Sequence, residues 1–263
     1  MTADLPLVSI VSPSLNQGRW IRTAIESVRA QTYPRVEHVV VDGGSTDDTL
    51  EILRNVEGFR WISEPDRGQS HALNKGFALA HGEILGWLNA DDAYEPAAVA
   101  AGVAALRESG VGLAYADVTR VNDDGVNPRR IRSRPGWDLW TEVNEGCGIY
   151  SPSVFFTRNA FEAVGGIDES LHLTMDYDLW LRIGGRFGAV HVDDVWSVQR
   201  IHDDAKTMRR YEDFWPERLR VSRRHGGRLL SPMLIGRYVH SPRAQRVVMR
   251  AVGGVYALTG KRR

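Results

Sequence analysis

The sequence predicts an α/β protein with a Rossmann-like, mostly parallel sheet and helices on both faces, followed by a helical carboxyl-terminal region. Short apolar runs rich in β-branched residues alternate with segments of helical periodicity over the first half of the 263 residues. Such runs are typical of parallel strands buried on both faces. With 43% hydrophobic residues, the chain has enough apolar material for one large core. Because helices return the chain between parallel strands, regular alternation favours this architecture.

The first half contains five predicted strands that end in turn residues. The first, LVSIV at 7–11, ends at Ser12 and Pro13, and the next segment repeats apolar residues at helical spacing from Trp20 to Val28. Further strands are expected at 36–41, 59–63, 84–88 and 111–118, with helices through Leu53, from about Ser70 and over 97–106. The loops after parallel strands meet at one edge of the sheet, where open α/β sheets bind ligands.

The pattern loosens in the second half. Residues 120–140 carry turn residues, charges and two tryptophans without a clear period, which predicts a mobile loop over a site. After it we expect a strand at 154–157, a short helix stopped by Gly165, a helix beginning near Asp176, a strand at 189–198, and helices at 211–224, 232–240 and 243–258. We therefore divide the chain into an α/β domain over 1–205 and a basic helical region over 206–263.

The charges of the chain are balanced in total but unevenly distributed. Residues 218–263 contain twelve lysines or arginines and no acidic residue, whereas the first 217 residues contain 21 basic and 33 acidic ones. A basic end of this kind favours contact with a polyanion, although it can also be a solvated helical face. No aromatic recognition motif or zinc-finger spacing accompanies the arginines, so we expect an anionic membrane surface and no nucleic acid.

Cysteine content and hydropathy indicate the compartment. Cys147 is the single cysteine, which excludes an internal disulfide framework and a multi-cysteine zinc site. The start of the chain lacks a basic region followed by a long apolar run, and no run of eighteen apolar residues occurs. We therefore expect a cytoplasmic protein, peripheral on the inner face of the membrane if the basic region binds there.

The stretch EILGWLNADDAYEP, residues 83–96, is the first candidate site. Its apolar strand stops at Asn89, Ala90 and the adjacent carboxylates of Asp91 and Asp92. Two neighbouring carboxylates repel each other, so a cation should accompany them, and Mg²⁺ or Mn²⁺ prefers such oxygen ligands. Alternatively, Asp92 caps the helix that starts after Pro96. From these residues alone, both interpretations stand.

Two neighbouring strand ends predict a nucleotide site. Asp42, at the end of the second strand, can accept hydrogen bonds from a ribose or a base, or it can satisfy its own turn, as is common in Asp-Gly sequences. Arg67, Lys75 and the start of the helix between them offer positive potential suited to a diphosphate. The first loop, SPSLNQG, lacks the G-x-G-x-x-G pattern, and this argues against a dinucleotide-binding protein.

Two acids and a histidine in the second half complete the candidate set. Asp176 and Asp178 fall in or just before the first turn of a helix, beside Trp180, where acids are also ordinary surface chemistry. Side chains two positions apart do not share a helix face, so only one of these acids is expected in a site. His202 follows the last strand, and a lone histidine is more often structural than a ligand.

Three motifs in this order resemble the inverting family 2 glycosyltransferases with a GT-A fold: DGGSTDDT from Asp42, NADD from Asn89 and MDYDLWLR from Met175. The opening VSIVSPSLNQGRWIRTAIESVRAQTYP and the segment EPDRGQSHALNKG are similar to the same family. The resemblance covers roughly residues 6 to 225. It departs from the family pattern at Asn89, which replaces the first acid of D-x-D, and at Met175, which replaces a glutamate.

The resemblance implies a role for each matching residue. Asp42 contacts the base or ribose of a nucleotide sugar, Asp91 binds Mn²⁺ or Mg²⁺, His202 completes the metal or diphosphate site, and Asp176 is the general base. The expected nucleotide-sugar contacts are Pro13, Asn16, Asp42, Arg67, Lys75, Asn89, Ala90 and Asp91.

The expected reaction is the inverting, metal-dependent transfer of a sugar, with UDP favoured as the carrier, to a hydroxyl of a lipid-linked or envelope glycan. The processive Q-x-x-R-W signature is absent, which favours one sugar per encounter. Two alternatives remain. A sugar-1-phosphate nucleotidyltransferase would carry a glycine-rich basic loop that SPSLNQG does not provide, and a catalytically silent nucleotide-sugar binding module would not need Asp176.

Overall fold

The computed structural model describes residues 5–203, 205–206, 211–228 and 231–232. Within them, nine strands form one sheet: β1 Val8–Ser14, β2 Val36–Asp42, β3 Arg60–Ser63, β4 Ile84–Trp87, β5 Ala93–Tyr94, β6 Leu113–Val121, β7 Arg129–Ile131, β8 Val154–Thr157 and β9 Ala189–Arg200. The helices are α1 Ile21–Arg29, α2 Thr49–Asn55, α3 Gln69–Leu79, α4 Ala98–Ser109, α5 Leu139–Glu145, α6 Arg158–Ala163, α7 Met175–Phe187 and α8 Tyr211–Arg224. A short 3-10 turn at Ser151–Ser153 precedes β8.

The sheet is parallel in its first half and mixed in its second. Strands β3, β2, β1 and β4 are neighbours in that order and are all parallel, as the alternation of strands and helices predicts. Beyond β4, β8 runs antiparallel between β4 and β6, whereas β9 is parallel to β6. The carboxyl ends of β1, β4, β6 and β9 therefore lie along one edge of the sheet.

Side chains alternate between two apolar layers, one on each face of the sheet. On one face Val11 and Trp87 pack in a cluster with Phe77 of α3 and Ile183 of α7. On the other, Ile10 and its neighbours pack against residues of α1 and α4. Because strand side chains alternate with a period of two, both faces of these buried strands must be apolar, which explains their unbroken apolar runs.

The segment 120–140 is more regular than its sequence predicts. It forms a hairpin in which β7 pairs antiparallel with β6, and Gly125 takes a positive φ of 77° in the turn. Trp137 packs against the core where Gly184 of α7 leaves room for its ring. The sequence predicts a mobile loop over a site here, whereas the structure pairs Arg129–Ile131 with β6. A strand of three residues is too short for its alternation to be detected in the sequence.

Helix α8 is attached to the segment that leads into α7. The carboxylate of Glu217 accepts hydrogen bonds from the backbone N–H groups of His172 (3.0 Å), Leu173 (2.7 Å) and Thr174 (2.8 Å). These bonds hold the pKa of Glu217 below its usual range, although burial opposes them. The predicted helices at 232–240 and 243–258 lie outside the described residues. None of the helices within the described ranges combines the length and the apolar composition that a membrane span requires.

Candidate active site

A cavity of about 800 Å³ opens at the edge of the sheet where β1, β4, β6 and β9 end. Loops after these strands and the first turn of α7 form its walls. Of the residues expected in the site, it is lined by Pro13, Asn89, Ala90, Asp91, Asp176 and His202. The structure thus brings the proposed metal residues, Asp91 and His202, and the proposed base, Asp176, to one cavity.

Asn89 organises the turn after β4. Its side-chain oxygen accepts hydrogen bonds from Trp87 Nε1 (2.8 Å) and Gln69 Nε2 (2.9 Å), and its nitrogen donates to Asp92 (3.2 Å). A carboxylate at this position could not donate to Asp92, so the amide fits this network. Asn89 therefore fixes the backbone next to Asp91.

Asp92 turns inward. It is buried, and its Oδ1 accepts a hydrogen bond from the backbone N–H of Arg200 at the end of β9 (3.0 Å). Burial, and then the neighbouring charge of Asp91, raise the pKa of Asp92 well above its usual range. One of the two interpretations of this stretch is that Asp92 caps the following helix. Helix α4 has no side-chain cap at its amino end, so this interpretation is wrong.

Asp91 and His202 form a pair in the cavity wall. Asp91 Oδ2 lies 3.0 Å from His202 Nε2, and the imidazole ring lies 4.2 Å from the ring of Trp20. The His202 side chain is only 3% exposed, and its Nδ1 has no hydrogen-bond partner in the described part of the chain. The structure therefore holds the imidazole by packing and by Asp91.

The donor set of this pair is compatible with a divalent metal. Among the described residues there is no cluster of three or more histidine, cysteine or acidic side chains that could hold an ion. Mg²⁺ and Mn²⁺ in nucleotide sites commonly take one or two protein ligands and complete their coordination with phosphate oxygens and water. The carboxylate of Asp91 and the imidazole of His202 fit that pattern.

Asp176 lies in the first turn of α7 and lines the same cavity. Ser151 Oγ donates a hydrogen bond to its Oδ2 (2.5 Å), and the backbone N–H of Tyr177 donates to Oδ1 (2.8 Å). Burial raises the pKa of Asp176, and these hydrogen bonds together with the charge of Arg218 offset only part of the rise. The result is an oriented carboxylate of increased basicity.

Asp178 is directed elsewhere, as helix geometry predicts for a residue two positions on. It is fully buried and interacts with Arg182 (2.7 Å), His225 (3.1 Å) and Arg224 (3.4 Å). It does not line the cavity. Asp178 therefore ties α7 to the end of α8.

Four residues expected to contact the nucleotide sugar, Asn16, Asp42, Arg67 and Lys75, are not part of the cavity wall. Arg67 forms an ion pair with Glu169 (2.6 Å) and Lys75 with Glu64 (2.9 Å). The positive potential expected from these two residues is neutralised, because each has a carboxylate partner that the sequence pattern does not reveal.

Asp42 and Asn16 organise the loops behind the cavity. Asp42 is fully buried and accepts hydrogen bonds from Ser45, from Ser63 Oγ (2.7 Å) and from the backbone N–H of Gly44 (3.0 Å). Asn16 takes a positive φ of 54°, and its Oδ1 accepts from the N–H of Thr46 (2.9 Å). These contacts are those of the turn interpretation of Asp42, and binding of a base by Asp42 stays a prediction.

Sequence reasoning missed several residues of the cavity wall. Ser151 and Tyr150 come from the loop EGCGIYS, and Arg120 from the end of β6. The two glycines of that loop are the sequence signal that could have identified it as a constrained segment. In the structure, both glycines lie against arginine side chains. Arg218 of α8 is also part of the wall.

Residues 9–164 match the model of the family described as Glycosyl transferase family 2. A relative from Mycobacterium tuberculosis (strain H37Rv), named an uncharacterized glycosyltransferase, is 43% identical over 181 residues, which cover 67% of this chain and 68% of the relative. The chain therefore belongs to glycosyltransferase family 2.

Solved structures agree in fold. The structure of S. aureus TarS 1–349 in complex with UDP-GlcNAc is similar with a TM-score of 0.68 and 20% identity, covering 86% of this chain and 67% of that one. Mannosyltransferase PcManGT from Pyrobaculum calidifontis, in complex with GDP-Man and Mn²⁺, is similar with a TM-score of 0.60 and 20% identity, covering 98% and 82%. The expected GT-A fold is confirmed.

Proposed function

We propose that this chain transfers a single sugar from a UDP-sugar to a hydroxyl of a lipid-linked or envelope glycan, with inversion at the anomeric carbon. The observation that carries the proposal is the cavity shared by Asp91, His202 and Asp176. A reaction of this kind needs charge stabilisation at the leaving diphosphate and a base at the attacking hydroxyl. The cavity contains residues suited to each task.

The donor end of the reaction belongs to Asp91 and His202. We infer that this pair holds Mn²⁺ or Mg²⁺, which when bound supplies Lewis-acid stabilisation of the departing diphosphate. Asp92 is buried and accepts a hydrogen bond from the backbone N–H of Arg200, whereas Asp91 is paired with His202 in the cavity wall, so Asp91 is the carboxylate of this turn that we propose as the metal ligand. UDP-GlcNAc bound to TarS and Mn²⁺ bound to PcManGT support this choice of donor class and metal.

The acceptor end belongs to Asp176. Its carboxylate, oriented by Ser151 and the Tyr177 N–H, takes the proton of the acceptor hydroxyl as the new glycosidic bond forms. A double displacement would need a second carboxylate near the anomeric carbon to act as nucleophile. Asp178 is held by Arg182 and His225 away from the cavity, which supports a single displacement and hence inversion.

The location of the reaction is proposed from charge. Twelve basic and no acidic residues between 218 and 263 favour a peripheral position on the anionic inner face of a membrane, and this position would bring the chain to a lipid-linked acceptor. We keep the division into a catalytic domain over 1–205 and a basic helical region over 206–263 as part of this proposal.

A catalytically silent nucleotide-sugar binding module is the second candidate, and it would share Asp91 but not require Asp176. The serine hydrogen bond to Asp176 and its position in the cavity favour the enzyme. A sugar-1-phosphate nucleotidyltransferase finds no support in the family match.

The metal assignment is tested by calorimetry with UDP, with and without Mn²⁺ and a chelator. We expect Mn²⁺ to strengthen UDP binding by the wild-type chain and Asp91→Ala to abolish that metal dependence, because a metal ligand is lost. Asp124→Ala, at an exposed acid of the hairpin turn, is the matched control and should behave as wild type. UDP affinity that ignores the metal in the wild type would refute the assignment. A screen of nucleotide sugars for slow hydrolysis then identifies the donor.

A further inference from the structure

Arg218 of α8 contributes a guanidinium group to the cavity wall. Its guanidinium lies over the rings of Tyr177 (5.7 Å), Phe214 (5.5 Å) and Trp215 (5.5 Å). No ion pair joins it to an acidic side chain in the described ranges, and its buried Nε has no hydrogen-bond partner there. The nearby carboxylate of Glu142 is already paired with Arg134 (2.8 Å).

The loop EGCGIYS is shaped to receive this guanidinium. A Cβ at Gly146 would lie 1.8 Å from Arg218 Nη2 and 2.6 Å from its Cζ, so any side chain at this position would displace the arginine. Gly146 also has a positive φ of 100°, which other residues rarely adopt. The missing side chain at Gly146 therefore leaves room for the Arg218 guanidinium. Within the described residues, packing and not a hydrogen bond at Nε holds this arginine in place.

Arg218 belongs to the same end of the cavity as the base. It stacks on Tyr177, the residue after Asp176, and it contacts the loop that continues to Ser151, the hydrogen-bond donor to Asp176. The donor pair, Asp91 and His202, instead packs with Trp20. In the proposed reaction, the acceptor occupies the end of the cavity where the base lies.

A second guanidinium adds to the positive charge of this wall. Arg120 donates two hydrogen bonds to the neutral side chain of Gln199 (2.9 and 3.2 Å) and lies over the ring of Tyr150 at 5.5 Å. In the described part of the chain, it too forms no ion pair with a carboxylate. The cavity wall therefore carries two guanidinium groups that form no ion pair within the described residues.

We propose that Arg218 binds an anionic group of the acceptor, a phosphate or a carboxylate, and thereby places the acceptor hydroxyl at Asp176. The proposal rests on the proposed function, since it assumes that Asp176 is the base. An arginine fork matches the planar or tetrahedral oxygens of such groups and can bind two of them at once. A partly buried guanidinium that forms no ion pair within the described residues binds an anion favourably, because part of its desolvation has already occurred on folding. The competing account is an arginine that only stacks on three rings.

The test measures binding of three small probes to the full chain saturated with UDP and Mn²⁺, by ligand-observed NMR titration. The probes are methyl β-glucoside, methyl β-glucuronide and glucose 6-phosphate, which are neutral, carboxylate-bearing and phosphate-bearing. We expect the wild type to bind one of the anionic probes roughly ten-fold or more tightly than the neutral one. The probe that is preferred distinguishes an acidic sugar from a phosphorylated acceptor.

Arg218→Met keeps the apolar stem and removes the charge, so it should abolish the preference for the anion and leave UDP affinity unchanged. Arg223→Met, at an exposed arginine of the same helix outside the cavity, is the matched control and should retain the preference. Arg218→Lys keeps the charge without the fork and should retain only part of it. This variant decides the question if circular dichroism finds Arg218→Met unfolded.

Three results would overturn the inference while leaving the proposed function intact. The first is equal binding of the three probes by the wild type, and the second is a preference for the anion that survives in Arg218→Met. The third is loss of UDP affinity in Arg218→Met, which would assign Arg218 to the donor. A wild-type chain that does not bind UDP at all contradicts the proposed function itself and this inference with it.

Discussion

Asp176 is subject to opposing influences that the structure separates. Burial raises its pKa, while the Ser151 hydroxyl, the Tyr177 N–H and the charge of Arg218 lower it, and burial dominates. A general base must be unprotonated to act, so activity should rise with pH through this pKa. The lower limb of the pH profile therefore reports the surroundings of Asp176.

Ser151→Ala should move that lower limb to higher pH. The substitution removes the hydrogen bond that stabilises the carboxylate form, so the pKa of Asp176 increases further. The measurement is the rate of UDP release as a function of pH, with Ser109→Ala, at an exposed serine of α4, as the control. An unchanged lower limb in Ser151→Ala would mean that Asp176 does not set it.

The predicted catalytic and metal-binding residues that line the cavity come after strand ends or at a helix start. Asp91, Asp176 and His202 line the cavity because the topology of an α/β sheet brings such positions to one edge. Arg67 does not line the cavity, and no local pattern reveals its ion pair with Glu169, which comes 102 positions later. Sequence reasoning missed Arg218 because the position of this residue depends on how α8 packs. Glu217 of α8 accepts hydrogen bonds from backbone N–H groups of residues 172–174, a contact that the sequence does not reveal.

Two adjacent glycines of α7 have opposite effects on the stability of the fold. A Cβ at Gly184 would lie 2.3 Å from the ring of Trp137, whereas one at Gly185 would meet Leu139 at an ordinary 3.4 Å. Gly184→Ala should therefore lower the free energy of unfolding by about 1–3 kcal/mol through overpacking. Gly185→Ala should raise it by about 0.4–1 kcal/mol, because alanine has less freedom in the unfolded chain.

Denaturant unfolding of both variants tests this prediction, and each is the other's control because both replace a glycine in the same helix turn. Equal effects would show that Trp137 does not occupy the space at Gly184 in solution. Trp137 would then not fasten the hairpin segment to the helix that carries Asp176.

Periodicity in the sequence predicts most of the strands and helices. The features that it does not predict are very short strands and strand directions that depend on tertiary pairing. The strand at 154–157 and the helix at 211–224 have the expected bounds. Strands β5 and β7, of two and three residues, were missed because they are too short to establish a period. The antiparallel direction of β8 is set by its partners and leaves no mark on its sequence.

The concentration of basic residues in the carboxyl-terminal region predicts that the whole chain binds to anionic membranes. The full chain should sediment with phosphatidylglycerol vesicles and be released as salt increases, since each basic residue near an anionic surface contributes about 1 kcal/mol and salt screens it. Combining Lys261→Gln, Arg262→Gln and Arg263→Gln should weaken the binding. Neutral phosphatidylcholine vesicles are the control. Binding that ignores lipid charge and salt would reject the electrostatic account.

The most direct test of the central claim is turnover by Asp176→Asn. The amide keeps the shape of the carboxylate but cannot accept the hydroxyl proton, so UDP release should fall by roughly 10²–10⁴-fold. UDP affinity, measured by calorimetry on the same preparation, should stay at the wild-type value because Asp176 lies at the acceptor end. Near-normal turnover in this variant would contradict the assignment of Asp176 as the base.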